Sequence, residues 1–243
     1  MKLVISDTYK LMSSKAAEEV IHLIQSFDKP VICPASGDSP SALYELLTKE
    51  SSSTKSIISQ CYFVGLDEWA GMNESTEGSC RFHLNNQLFH PLNIAENQIY
   101  FFDGKAKNLN VECNRIEDFI YKSGGIDLAI VGLGMNGHVG MNEPGTSPAL
   151  RAHVTKITAS TQQSGQKYFN EKTVLPMGIT LGIANLMEAR HVMLIVNGKK
   201  KAEIIKRVLE EEISEELPAS FLRNHKNFSV YLDKEAASLL TEN

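Results

Sequence analysis

Short, largely apolar runs that do not alternate with polar residues recur along the chain, at residues 30–33, 61–66, 126–131, 191–196 and 228–232. A strand with one face in water alternates with period two, whereas a strand buried on both faces reads as continuous apolarity. Helical patterns separate most of these runs. Ala17, Val20, Ile21, Ile24 and Phe27 follow one after a short apolar opening at Leu3, Val4 and Ile5, and Ala42, Leu43, Leu46 and Leu47 repeat the spacing further on. The expected fold is α/β: three layers, with a mostly parallel, Rossmann-like sheet covered by helices on both faces. With 243 residues and 42% apolar content, a single domain over residues 1–243 can build one large core. Such sheets place ligands in the crevice beyond the carboxyl ends of the strands. The polar residues that follow each run are therefore the candidates for function.

Charge and cysteine usage narrow the field. The net charge of −5 is spread along the chain, and apart from Lys199, Lys200 and Lys201 the basic residues form no cluster, so the electrostatic footprint of a nucleic-acid binder is missing. No apolar run approaches the roughly 18 residues of a membrane span, and the N-terminus lacks the pattern of a signal peptide. A soluble, cytoplasmic protein with neither nucleic-acid nor membrane partners is expected. Cys33, Cys61, Cys80 and Cys113 show no paired spacing, which argues against a disulfide framework or structural zinc. The Ser/Thr-rich stretch at 51–56 reads as a surface loop.

Three run ends carry chemistry. The first, Ser36-Gly37-Asp38-Ser39-Pro40, precedes a helical pattern, so it is either a capped turn or a phosphate cradle in which small residues let backbone N–H groups approach an anion. In a cradle the Asp38 carboxylate must point away from the phosphate. The second, Asp67-Glu68-Trp69, sets two carboxylates beside the sole tryptophan. If Asp67 faces a water-poor cleft, burial raises its pKa toward a range useful for moving a carbon-bound proton, while its neighbour turns away; the alternative is a solvated turn.

The third is the glycine-rich stretch from Gly132 to Gly145. Gly132, Gly134 and Gly137 have the spacing of a dinucleotide fingerprint, but that motif must open a helix and be followed about 20 residues later by an acid. Gly140, Pro144 and Gly145 interrupt any helix, and residues 154–163 hold no acid, so NAD is not expected. The stretch also lacks the ligand spacing of a zinc site. Read as a loop, it brings His138 and Glu143 to where a carboxylate orients an imidazole for acid/base work; the competing reading is a packed loop histidine. His22, His83, His90 and His191 fall in helical patterns or at a strand start.

Taken together, Gly65-Leu66-Asp67-Glu68-Trp69, the loop from Gly132 to Gly145 with its Asn136-Gly137-His138 and Asn142-Glu143-Pro144, and Met177-Gly178-Ile179-Thr180-Leu181-Gly182 resemble the glucosamine-6-phosphate deaminase family. Trp69, the Asn-Gly-His loop and Pro218-Ala219-Ser220-Phe221-Leu222 look like its galactosamine-6-phosphate isomerase/deaminase branch. The related 6-phosphogluconolactonases share the fold but usually lack Asn-Glu-Pro in this loop.

The resemblance implies the fold of that family and the isomerisation and deamination of a hexosamine 6-phosphate without metal or organic cofactor. His138, held by Glu143, opens the sugar ring, and Asp67 moves a proton between C2 and C1. Ser36, Gly37, Asp38 and Ser39, with Lys167 and Lys201, hold the phosphate. Glu68, Gly134 and Gly137 are carried over as sugar contacts. Lys201 also reads as an exposed residue in a lysine run opening a helix over 199–212. Lys167 replaces an arginine common in the glucosamine enzymes. Asn136 replaces an aspartate of the histidine relay, leaving Glu143 to act alone. His153 and Thr155 stand where allosteric members carry a basic cluster, so no such regulation is expected. A homo-oligomer is compatible with the resemblance. The rival readings are a lactone hydrolase of the same fold and a silent sugar-phosphate sensor.

Overall fold

The computed structural model describes residues 1–49 and 52–241. In chain order the elements are β1 (Lys2–Ser6), α1 (Tyr9–Ile24), β2 (Val31–Pro34), α2 (Ser41–Lys49), α3 (Ser52–Ile58), β3 (Tyr62–Val64), β4 (Asp67–Trp69), α4 (Cys80–Leu84), β5 (Ile99–Tyr100), α5 (Leu109–Lys122), β6 (Leu128–Gly132), β7 (His153–Lys156), α6 (Ala159–Gly165), β8 (Met177–Thr180), α7 (Ile183–Glu188), β9 (His191–Val196), α8 (Ala202–Glu210) and β10 (Phe228–Asp233). Seven strands form one parallel sheet in the order β1-β10-β9-β6-β2-β3-β5.

The continuous apolar runs are explained by two cores, one on each face of that sheet. Val192, Leu194 and Val196 of β9 pack with Ile116 of α5, Ile183 of α7 and Ile205 of α8. The alternate residues Met193 and Ile195 pack with Met12, Val20 and Ile24 of α1 and Leu43 of α2. Every side chain along such a strand is buried whichever way it points, so polar alternation has no place. This is the expected three-layer arrangement. Among the described residues no helix is long and apolar enough to cross a membrane.

The order also fixes where a ligand belongs. From β2 the chain moves outward through β3 to β5, then returns to lay β6 on the other side of β2 and builds outward again through β9 and β10. The direction reverses between β2 and β6, and the loops leaving their carboxyl ends must part there, opening a crevice.

Three local expectations differ. The 61–66 run is not one strand: β3 ends at Val64, and the chain then passes into a separate antiparallel sheet, β4-β8-β7. It crosses at Gly65, where any side chain would meet the Phe101 ring at 2.7 Å. The 51–56 stretch belongs to helix α3 from Ser52 onward; Ser51 lies outside the described residues. The helix expected over 199–212 opens with a 3-10 turn at Lys199–Lys201 and is α-helical over Ala202–Glu210.

Candidate active site

The loop after β2 has its backbone held from outside. Tyr9 of α1 donates its hydroxyl to the Asp38 carbonyl (2.8 Å) and accepts the Ala42 N–H (3.0 Å). Ser39 Oγ donates to Asn197 Oδ1 at 2.8 Å. Gly37 has φ +109°, and a Cβ there would press on the Tyr168 hydroxyl at 3.1 Å, so glycine is required on both counts. Among the described residues the N–H groups of Ser36, Gly37 and Ser39 donate to no protein acceptor. Unpaired N–H groups ahead of α2 favour an anion. Lys201 points its ammonium here, donating to the Leu133 carbonyl, and burial together with the neighbouring Lys167 cation pushes its pKa down to about 8. Tyr9→Phe removes both hydrogen bonds from this scaffold and is expected to weaken anion binding roughly three- to tenfold, as titration with inorganic phosphate would measure; unchanged affinity would remove Tyr9 from this role.

Strand alternation separates the two carboxylates. Asp67 faces the crevice and is 9% exposed; burial pushes its pKa up to about 6, against the Cys80 thiol that donates to it. Glu68 points the opposite way and is fully buried. Its Oε1 accepts the N–H groups of Trp69 (2.8 Å) and Cys80 (2.9 Å), and its Oε2 accepts that of Arg81 (2.9 Å). Burial pushes its pKa up to about 7 in spite of these bonds. Glu68 thus ties the start of α4 to β4 and does not line the cleft. The expected sugar contact is corrected to a structural role.

The loop after β6 folds back on itself, the Gly134 N–H donating to the His138 carbonyl at 2.9 Å. The imidazole then lies over Gly134, where a Cβ would sit 2.2 Å from its Cε1. His138 Nδ1 meets Asn136 Oδ1 at 2.7 Å, and Asn136 Nδ2 donates to Glu143 Oε2 at 2.7 Å. Glu143 itself stays 3.8 Å from the ring, held by the Thr158 hydroxyl (3.0 Å) and N–H (3.3 Å). Glu143 therefore does not hold His138 directly: the amide stands between them and relays the contact. With its NH₂ given to a carboxylate, Asn136 can present only its oxygen to the ring, which places the imidazole proton on Nδ1. Nε2 has no partner among the described residues. Burial pushes the His138 pKa down to about 4, against the pull of Glu143, so the ring is neutral at pH 7.

These groups share one cleft of about 750 Å³ at the β2/β6 switch point. A family model described as glucosamine-6-phosphate isomerases/6-phosphogluconolactonase matches residues 7–231. The chain belongs to this family. A glucosamine-6-phosphate deaminase of Oceanobacillus iheyensis is 35% identical over 237 residues, covering 97% of this chain and 95% of that one. One of Clostridium perfringens is 33% identical over 241 residues, covering 99% and 100%. A monomeric glucosamine-6-phosphate deaminase of known structure superposes with a TM-score of 0.93 at 33% identity, covering 98% of this chain and all of that one. The 6-phosphogluconolactonase of Trypanosoma cruzi reaches 0.80 at 22% identity over 99% and 97%, a likeness of fold.

Within this glucosamine-6-phosphate isomerase/6-phosphogluconolactonase scaffold, Ser36, Gly37, Asp38 and Ser39, Lys167 and Lys201, and Asp67, Gly134 and His138 all line the cleft. Asn136 and Glu143 stand behind His138. Gly137 does not line the cleft: it turns the loop at φ +87° and backs onto Leu217, and its carbonyl accepts the Ala219 N–H at 2.9 Å. It is a hinge of the loop in place of the expected sugar contact. Lys199 and Lys200 also border the cleft but are exposed. Sequence reasoning missed His83, which lines the cleft with a buried, unpartnered Nε2 and packs edge-on against Tyr168 at 4.8 Å. It also missed Thr161, whose hydroxyl is 3.1 Å from His138 Nδ1. The helix-start signal at Thr158 could have found that pair of threonines; nothing local marks His83. No group of three or more metal-ligating side chains occurs among the described residues.

Proposed function

We propose that this chain converts a hexosamine 6-phosphate into the ketohexose 6-phosphate and ammonia. The observation that carries this reading is one cleft holding a buried carboxyl, Asp67, and a neutral imidazole, His138, beside a cationic end rich in unpaired N–H groups. The phosphate occupies that end, on Ser36, Gly37 and Ser39 and the cations of Lys201 and Lys167. His138 Nε2 accepts the proton of the anomeric hydroxyl and returns it to the ring oxygen, which opens the ring. Asp67 removes the C2 proton of the open-chain amino aldehyde and delivers it to C1 through an enolamine. Water adds to the resulting C2 iminium and ammonia leaves.

Galactosamine 6-phosphate is the preferred substrate in this reading, with tagatose 6-phosphate as product, on the strength of Trp69, the Asn136-Gly137-His138 loop and the segment from Pro218 to Leu222. Glucosamine 6-phosphate, the substrate named for the similar enzymes, is second. Ammonia release from both sugars in parallel, with 6-phosphogluconolactone hydrolysis as control, tests it. Faster release from the gluco sugar discards the branch and keeps the chemistry. Lactone opening without ammonia overturns the proposal.

The pH profile follows from the same groups. Asp67 acts ionised, so kcat/KM falls below about pH 6. Lys201 must be charged to attract phosphate, so kcat/KM falls above about pH 8. That alkaline limb is absent from kcat, because the bound phosphate keeps the lysine protonated. His138 stays neutral across the whole window. Initial rates between pH 5 and 9 decide this, and an alkaline limb of equal size in kcat would remove Lys201 from phosphate binding.

A further inference from the structure

One of the cations that line the cleft already has an anion on it. Lys167 Nζ meets Asp38 Oδ2 at 2.5 Å, joining the loop after β2 to the turn after α6 across 129 residues of sequence. Both side chains are more than half exposed, 54% for Lys167 and 65% for Asp38, so the pair adds little to the stability of the fold. Its position is what distinguishes it. Asp38 lies among the unpaired N–H groups of Ser36, Gly37 and Ser39, and Lys201 is close enough to feel both charges of the pair. A carboxylate on the rim of an anion cradle, bonded to one of the cations that line it, is a competitor for that cation.

We propose that Asp38 is a built-in counter-ion of the phosphate subsite, which an incoming phosphate must displace from Lys167. This deepens the functional reading and rests on it for the identity of the phosphate end. The exchange breaks the Asp38–Lys167 pair and forms a phosphate–Lys167 pair beside a carboxylate that has swung into solvent. A free anion gains one ion pair and loses another, so inorganic phosphate binds weakly. A sugar phosphate that also fills the Asp67/His138 end gains contacts that free phosphate does not, and displaces Asp38 with their help. Asp38 thereby sets how far the site distinguishes the ester from free phosphate.

The test is direct titration of the full chain with inorganic phosphate at pH 6.5, where both lysines are charged, in low and in high salt. Asp38→Asn is expected to tighten phosphate binding roughly two- to fivefold in low salt, the scale of one exposed ion pair. The gain shrinks in high salt, as screening requires. Asp38→Ser, which removes the charge with a different side chain, gives the same direction. In a Lys167→Met background the gain shrinks, because the competitor has lost its object and only its charge near Lys201 remains. Unchanged or weaker binding in both Asp38 variants overturns the proposal, as does an equal gain with and without Lys167, which would make Asp38 only a nearby charge. Absence of phosphate binding in every variant would overturn the phosphate end itself, and the proposal with it.

Discussion

Asp67→Asn is expected to lower ammonia release about a thousandfold, within the range of 10²–10⁴ for a positioned general base, and to make the protein more stable at neutral pH. The first effect follows because an amide cannot accept the C2 proton. The second follows from the site that makes Asp67 useful. Burial raises this carboxyl from 3.8 to about 6. A carboxyl raised in the folded state contributes fully below its unfolded pKa, and the contribution is lost as pH rises through the folded value. At pH 7.5 the ionised group therefore costs on the order of 2–3 kcal/mol, which a neutral amide avoids. For a chain of this size that is a rise of several degrees in Tm. The gap between variant and wild type should be small at pH 4, open between about pH 4 and pH 6, and stay at its full size above that. Calorimetry across that range, with ammonia release at each pH, checks both halves. A variant that loses activity but is no more stable at pH 8 would mean that Asp67 is not desolvated. Equal activity would remove it as the base.

The same contrast between what a residue type offers and where the chain puts it decides how much was legible in the sequence. Both-face burial was legible, because the 126–131 and 191–196 runs allow no polar side, and with it the sheet, its helices and the strand ends worth searching. The 61–66 reading ran past the end of β3 at Val64 and hid the separate strand β4 that begins at Asp67. Nothing in the apolarity of Phe63, Val64 and Leu66 reports that Gly65 must pass the Phe101 ring, a contact across 36 residues of chain. That break places Asp67 and Glu68 in a strand, and only then does alternation send one to the cleft and the other to three backbone N–H groups. The loops were readable as chemistry and unreadable as geometry. The awkward Asp38 finds a partner 129 positions away, and His83, bland in a helical pattern, reaches the cleft because α4 is docked by Glu68. Long-range hydrogen bonds and ion pairs leave no local signature, whereas periodicity does.

Asn136 carries the second large effect. Asn136→Ala is expected to lower kcat about a hundredfold, an amount comparable with losing a positioned acid/base group. The amide is the shorter of two bridges that couple Glu143, 3.8 Å from the ring, to His138: it makes a hydrogen bond of 2.7 Å at each end, whereas the other path runs through the Thr158 and Thr161 hydroxyls. Without it the imidazole keeps only the Thr161 hydroxyl at Nδ1. That hydroxyl can donate as well as accept, so the proton is no longer confined to Nδ1 and Nε2 no longer always presents a lone pair to the sugar. Asn136→Asp discriminates between geometry and charge. The new carboxylate keeps the contact to His138 but faces Glu143 at the distance where an amide donated, and two carboxylates that close cannot both ionise, so one retains a proton and bridges the pair. The pair still carries one negative charge, but that charge now reaches position 136, 2.7 Å from Nδ1 instead of 3.8 Å away, which raises the His138 pKa from about 4. The Asp variant should therefore keep kcat within about tenfold of wild type while its imidazole titrates higher, as nitrogen NMR of the ring would read directly. In the wild type the same spectra should show the neutral ring protonated at Nδ1 at pH 7. An Ala variant within threefold of wild type, or a wild-type ring protonated at Nε2, would mean that the relay positions nothing, and His138 would have to act through groups on the substrate alone.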